Sequence, residues 1–189
     1  MLTLRNSRPA EELDALSARI TSRLLELQEI RNAGVISIYL HIGSEVRTLN
    51  MLYWLLSHGK TIIVPITDKV NRRLIFSQIE FPEDELTKGT FGILEPKPEY
   101  RKPFPLEEAD VILVPGVAWD LRGYRLGYGA GYYDRSINSL HRSMPKIGLS
   151  YELQIVEHIP NDRFDRRVDR LVTERRIVNT SQGEKRDAC

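Results

Sequence analysis

Apolar residues recur at spacings of three and four through Leu13, Leu16, Ile20, Leu24 and Leu27, with polar and charged residues between them. That period predicts an amphipathic helix. Pro9 and the acidic Glu11 and Glu12 suit its first turn, and it should end near Gly34. A mostly apolar, β-branched run at 35–40 predicts a strand. After a loop at 41–45, a second helical pattern carries Leu49, Leu52, Tyr53 and Leu56 and closes at Gly59. Residues 61–64 read as a buried strand stopped by Pro65, and 74–79 alternate weakly, like a strand with one wet face. The span 81–105 holds Pro82, Pro96, Pro98, Pro103 and Pro105 among charges, but also Phe91, Ile93 and Leu94, which predicts a long ordered surface loop. The run 111–114 is the clearest buried strand, ended by Pro115 and Gly116. Beyond it, 136–141 continues a helix, 146–149 forms a strand, and 171–173 with 177–178 supply one or two more at the sheet edge.

Strands alternating with helices predict an α/β fold with a mostly parallel sheet. Residues 1–178 are expected to form one domain, and 179–189, almost without apolar content, a polar C-terminal tail. No internal repeat is present. At 189 residues, 41% hydrophobic and 28% charged, the chain is long enough to bury a core without metals or disulfides.

Charge narrows the function. Twenty-seven Lys and Arg against 26 Asp and Glu leave a net +1, no field for nucleic acid or an anionic membrane, so any anion site must be local. Six arginines crowd 163–176, but Asp165, Asp169 and Glu174 alternate with them, as on a solvated face. The single cysteine is Cys189, which suits a reducing compartment. The N-terminal region is charged, and no stretch approaches the roughly 20 apolar residues that cross a bilayer. A cytoplasmic, monomeric protein is expected, with a dimer left open. His41, His58, His141 and His158 are scattered without ligand spacing, so no zinc site is expected.

The chemistry gathers at Arg125, Leu126, Gly127, Tyr128, Gly129, Ala130, Gly131, Tyr132, Tyr133, Asp134 and Arg135, where three glycines alternate between an apolar strand region and a helix. Glycines let backbone N–H groups approach a ligand, and a helix start leaves N–H donors unpaired, a combination that favours phosphate. Arg125 and Arg135 would add charge-assisted hydrogen bonds, and Asp134 is a hard oxygen ligand suited to Mg²⁺. The spacing matches neither the Rossmann fingerprint nor a P-loop. Two readings stay open on spacing: an anion-binding loop, or a glycine-rich turn whose tyrosines pack as core or rim.

The order Val114-Pro115-Gly116-Val117-Ala118-Trp119-Asp120, Gly123-Tyr124-Arg125-Leu126-Gly127-Tyr128-Gly129 and Gly131-Tyr132-Tyr133-Asp134-Arg135 resembles the signature of the 5-formyltetrahydrofolate cyclo-ligases. Tyr39-Leu40, Glu45-Val46, Thr48, Phe91-Gly92-Ile93, Glu95-Pro96 and Val168-Asp169 extend the likeness over nearly the whole chain. The resemblance implies a three-layer α/β/α fold like that of the sugar-isomerase and CoA-transferase group. It also implies ATP- and Mg²⁺-dependent closure of 5-formyltetrahydrofolate to 5,10-methenyltetrahydrofolate with release of ADP and phosphate. Carried over by position, the segment from Arg125 through Leu126, Gly127, Tyr128, Gly129, Ala130, Gly131, Tyr132 and Tyr133, together with Arg5, would bind the nucleotide. Leu40 and Glu45, with Tyr128, Gly129, Ala130, Gly131 and Tyr132, would bind the folate. Asp134 and Asp169 would hold Mg²⁺, and Arg125, Tyr132 and Asp134 would be catalytic. Without the resemblance, Arg5 and Glu45 read as ordinary surface charges.

Two positions depart from the family pattern. Met1 stands where an N-terminal lysine is usual, and Ala130 where lysine or glycine is common. Arg8, Lys60 or a residue of the long loop are the candidates to replace the missing charge. The departures keep two alternatives open: a paralogue acting on another pterin or formyl-amine, and a non-catalytic folate-binding module.

Overall fold

The computed structural model describes residues 1–140 and 143–180. Three helices, α1 (Leu2–Asn6), α2 (Ala10–Glu26) and α3 (Gln28–Asn32), precede β1 (Val35–Ser37). Then come α4 (Leu49–Ser57), β2 (Thr61–Asp68), β3 (Arg73–Ile79), α5 (Pro82–Glu85), β4 (Leu86–Lys88), β5 (Leu94–Pro96) and β6 (Lys102–Pro103). The chain continues through β7 (Val111–Val114), β8 (Ala118–Trp119), β9 (Arg125–Leu126), α6 (Tyr132–Asn138), β10 (Lys146–Leu149), β11 (Arg170–Val172) and β12 (Ile177–Asn179).

Eight strands form the central sheet in the order β12-β11-β10-β7-β1-β2-β3-β6. The five from β11 to β2 are parallel, as expected of strands joined by crossovers, while β12 and β3 run against their neighbours. Alternation along the central strands sends side chains to two cores. Ile62, Val64, Val111, Leu113 and Ile147 meet Leu13, Ile20, Leu24, Ile30, Met51 and Leu55 from α2, α3 and α4 on one face. Ile63, Ile112 and Val114 meet Trp119, Ile137 and Met144 on the other. The result is a three-layer α/β/α arrangement whose second outer layer is thin, α6 beside the β8–β9 hairpin. Among the described residues no helix is long and apolar enough to cross a membrane.

Several expectations need correction. The first amphipathic helix does not reach Gly34 unbroken: Leu27 is extended (φ −68°, ψ 133°), and α3 restarts to bury Ile30. Its buried stripe is Leu13, Ser17, Ile20 and Leu24, so a serine holds a core position beside Leu16. Pro65 does not stop β2. Its partner Phe76 turns its carbonyl outward to accept from Phe104 N–H, so the 65/76 pair needs no ladder bond, and β1 has already ended at Ser37 on the other side. The span 81–105 is not a plain loop, since α5, the β4–β5 hairpin and β6 lie inside it. Nor does the polar tail begin at 179, because Asn179 pairs with Arg170 and Thr180 is buried. The remainder of the expected tail, with Cys189, falls outside the described residues, as does His141.

Trp119 explains two glycines. It is fully buried, and a Cβ added at Gly116 would stand 2.6 Å from its Cε2, one at Gly148 2.6 Å from its Cη2. Overpacking of this kind costs about 1–3 kcal/mol. Gly148→Ala is therefore expected to lower the melting temperature by about 3–10 °C, and Trp119→Phe in the same chain to recover part of the loss. A melting curve within a degree of the parent would show that the ring has room to move.

Candidate active site

The parallel strands discharge their carboxyl ends into one set of loops, the usual place for a ligand in an open α/β sheet. There β1 leads to Tyr39 and Leu40, β7 to Pro115 and Gly116, and β10 to Ser150 and Tyr151. Arg5 reaches in from α1 and is only 2% exposed. Its Nε donates to Ser44 Oγ (2.9 Å), Nη1 to the Gly116 carbonyl (3.3 Å) and Nη2 to the Tyr128 hydroxyl (3.0 Å). Glu45, 5% exposed, accepts the Ile42 N–H at 3.0 Å, and the Tyr128 hydroxyl nearby favours its charged form. Neither residue is the surface charge that composition implies. Burial pushes the Glu45 carboxyl above its ordinary range, and the Ile42 N–H, the Arg5 charge and the Tyr128 hydroxyl partly oppose that push. One tyrosine of the glycine segment thus joins the expected nucleotide arginine to the expected folate carboxylate. Leu40 is buried with Tyr39 and Val46 in the core beneath the loop carrying Glu45.

The glycine segment follows β9, which is pinned against β8. Gly129 (φ 84°) and Gly131 (φ 63°) take left-handed conformations that a side chain would strain, and α6 opens directly after them. That helix has only seven residues. Backbone N–H groups of the segment, more than a macrodipole, are what it offers an anion. Leu126, Gly127, Tyr128, Gly129 and Ala130 are exposed, and Tyr132 is partly so. Arg135 is exposed but turned back on the segment: Nη2 donates to the Ala130 carbonyl (2.6 Å), Nε to the Arg72 carbonyl, and the guanidinium lies 5.4 Å over the Tyr132 ring. It holds the segment's shape. Tyr133 packs against both cores, and burial, then the Glu45 charge, raises its hydroxyl above the usual phenol range.

Arg125 and Asp134 form a close ion pair, Nη2 to Oδ1 at 2.8 Å, with side chains 6% and 23% exposed. The Arg166 N–H also donates to Asp134 Oδ1 (3.1 Å), and the Arg166 carbonyl accepts from Arg125 Nη1 (2.9 Å). Three residues on, Asp169 Oδ2 takes the Lys146 ammonium (2.8 Å) and the Lys146 N–H (2.8 Å) at the amino ends of β10 and β11. The two acids are thus tied to one short segment but held by different cations. Among the described residues no group of three or more His, Cys, Asp or Glu side chains is arranged to hold a metal. A magnesium ion needs only one or two carboxylates beside substrate phosphates, and Asp134, at the glycine segment with Oδ1 engaged and Oδ2 remaining, suits that role.

Of the possible substitutes for the missing lysine, Arg8 pairs with Glu12 (2.7 Å) and Lys60 donates to the Arg31 and Ala33 carbonyls. Within the long span, Lys97 caps Asp84 and Lys102 pairs with Glu80 and Glu85. His41 and Thr48 exchange hydrogen bonds that brace the 41–48 loop, and burial, with Arg47 nearby, lowers the imidazole's pKa. His58 stacks on Trp54 (centroids 3.6 Å apart) away from these groups. Among the arginines of 163–176, Arg170 pairs with Glu29 and Arg176 with Glu152. Sequence reasoning missed Ser44, Ser17, Tyr151 and Gln154. The one signal was Ser17, a polar residue inside an apolar stripe.

The profile of the 5-formyltetrahydrofolate cyclo-ligase family matches residues 1–174. A 5-formyltetrahydrofolate cyclo-ligase of Haemophilus influenzae is 32% identical over 147 residues, 77% of this chain and 79% of that protein. The solution structure of Aquifex aeolicus 5,10-methenyltetrahydrofolate synthetase superposes with a TM-score of 0.83 at 34% identity, over 96% of this chain and 90% of that one. The Mycoplasma pneumoniae 5,10-methenyltetrahydrofolate synthetase shares the fold at 24% identity, with a TM-score of 0.73 over 92% of this chain and 93% of that one. The match runs through every loop that converges on Arg5, Glu45 and the glycine segment, and so the chain belongs to the 5-formyltetrahydrofolate cyclo-ligase family.

Proposed function

We propose that this protein closes 5-formyltetrahydrofolate to 5,10-methenyltetrahydrofolate, consuming ATP and releasing ADP and phosphate. The supporting observation is the contact through Tyr128 that joins Arg5 to Glu45. It brings an arginine suited to phosphate within one side chain of a carboxylate suited to pterin N–H donors. A formyl oxygen on nitrogen is a poor leaving group. Transfer of the terminal phosphoryl group to that oxygen makes it a good one. The neighbouring nitrogen then attacks the formyl carbon and gives up its proton, and the C–O bond breaks to release phosphate.

In this reading the backbone from Arg125 through Leu126, Gly127, Tyr128, Gly129, Ala130, Gly131, Tyr132 and Tyr133 cradles the nucleotide with Arg5. Leu40 and Glu45 hold the pterin, and Tyr128, Gly129, Ala130, Gly131 and Tyr132 face both substrates. Arg125 and Tyr132 steady the charge that builds during transfer, which calls mainly for positioning and electrostatics. Asp134 would be the first Mg²⁺ ligand of this reading; Asp169, which holds the Lys146 ammonium at the amino ends of β10 and β11, would have to give up that pair to join it. The ion would supply charge that offsets the phosphates. With it goes a single-domain, cytoplasmic, monomeric enzyme acting on a small-molecule folate.

The test mixes purified protein with 5-formyltetrahydrofolate, Mg²⁺ and ATP and follows the near-ultraviolet absorbance of the methenyl product against a control without ATP. Product that depends on ATP establishes the activity. Folded protein that makes none would point to a different pterin or formyl-amine, found by screening analogues for ATP consumption. One observation favours that second reading: Arg8 and Lys60 are engaged elsewhere, so neither supplies the lost charge. Ala130→Lys is accordingly expected to lower the KM for ATP by about 3- to 10-fold, and an unchanged KM would mean that Arg5 and Arg125 already suffice.

A further inference from the structure

We propose that Ser17 and Tyr151 are positioning residues for Glu45, acting through a closed ring of hydrogen bonds around Val46. The Arg47 N–H donates to Ser17 Oγ (3.0 Å), Ser17 Oγ lies 2.9 Å from the Tyr151 hydroxyl, and that hydroxyl donates to the Glu45 carbonyl (3.1 Å). Donor directions follow from need. The Glu45 carbonyl can only accept, so the tyrosine proton points there; the serine, already accepting from Arg47, gives its own proton to Tyr151. A more distant acceptor for the tyrosine, the Leu13 carbonyl at 3.5 Å, lies within α2.

Ser17 is 2% exposed and Tyr151 fully buried. Both fasten the peptide groups on either side of Val46. That fixes the backbone from which the Glu45 carboxylate projects toward Ile42 and Tyr128. Tyr151 carries a second tie. Its N–H donates to Gln154 Oε1 (2.9 Å), and Gln154 Nε2 donates to the Gly116 and Val117 carbonyls (3.0 Å each). The Gly116 carbonyl also accepts from Arg5. One buried tyrosine thus sets the Glu45 loop relative to the β7 loop that Arg5 grips. A serine in the apolar stripe of α2 makes sense on these terms: alanine there would fill the core as well but leave the Arg47 N–H without its acceptor and the Tyr151 hydroxyl without its donor.

The functional consequence rests on Glu45 binding the pterin, so two kinds of readout are needed. In amide exchange, Tyr151→Phe and Ser17→Ala should each raise the Arg47 exchange rate by about tenfold while amides in β7 stay protected. This reads the ring with no substrate present, and unchanged Arg47 exchange in both variants would overturn it. In turnover, Tyr151→Phe should raise the KM for 5-formyltetrahydrofolate by about 3- to 10-fold, with kcat and the KM for ATP within about twofold. Ser17→Ala should act in the same direction, and the double variant should be no worse than the poorer single one, because a ring is opened by its first break. Ile147→Val, a core change on the same sheet face, controls for lost stability and should move neither KM. A parallel rise in both KM values, or an additive double variant, would reduce the pair to a structural role. If the parent protein makes no product, the failure falls on the cyclo-ligase reading, and the exchange result still decides the ring.

Discussion

Replacing Asp134 with asparagine is expected to lower kcat for ATP-dependent methenyl formation by about 100-fold or more, the range seen when a preorganised electrostatic group is lost. Two effects add. The amide keeps an oxygen for the Arg166 N–H but is a poor ligand for a hard cation, so the Mg²⁺ concentration needed for half-maximal rate should rise as well. It also strips the counter-charge from Arg125, whose side chain is 6% exposed. An unpaired buried guanidinium is destabilising, and with Asp134 itself 23% exposed the loss should be about 1–3 kcal/mol, a fall of several degrees in Tm. Assaying well below the new Tm separates chemistry from unfolding. Near-normal turnover in Mg²⁺ would remove Asp134 from the metal site and leave it as the anchor of Arg125.

Arg5→Met should act on stability, on both substrates and on pH. It abolishes bonds from a buried cation to Ser44, Gly116 and Tyr128. Charged hydrogen bonds of this kind contribute about 1.5–3 kcal/mol each before relaxation, so a Tm lower by about 5–15 °C is expected, with the KM for ATP and for folate each raised by about tenfold or more. The pH dependence gives a sharper test. Burial raises the Glu45 pKa above its ordinary 4.5, and Arg5 is one of the groups restraining the rise. Without the guanidinium the pKa climbs further, and the acid limb of folate binding moves to higher pH. A carboxyl whose folded pKa exceeds its unfolded one favours folding when protonated, and that support is lost as pH rises through the folded pKa. The stability deficit of Arg5→Met should therefore be larger at pH 8 than at pH 5. Equal deficits at both values would mean that Arg5 and Glu45 do not interact.

The parts of this protein legible in the chain are those set by period and by local stereochemistry. Val111, Ile112, Leu113 and Val114 read as a buried strand because all four are apolar, and strand β7 is buried on both faces. Gly129 and Gly131 stand out because glycines alternate just before a helix start, and the backbone takes left-handed angles at both. Failures came where a distant partner changes the local rule. Pro65 continues β2 because β3 and the end of β1 leave its missing N–H without a role. Glu95, inside a span that reads as loop, packs the β4–β5 hairpin against β2 by accepting the Thr67 N–H.

Sequence alone determined the α/β class, the buried central strands, the glycine segment and, through its signature, the family. Only the tertiary structure decided that Arg5 and Glu45, forty residues apart and charged, would be buried together and joined by Tyr128 from a third region of the chain. It also decided that Arg135 would brace the loop while Arg125 paired with Asp134, and that Ser17 and Tyr151 would hold the Glu45 backbone. The reason is physical. Hydrophobic periodicity is a property of neighbouring residues. The burial of a charge or a hydroxyl is permitted only by its hydrogen-bond partners, and for Ser17 that partner lies 134 residues away.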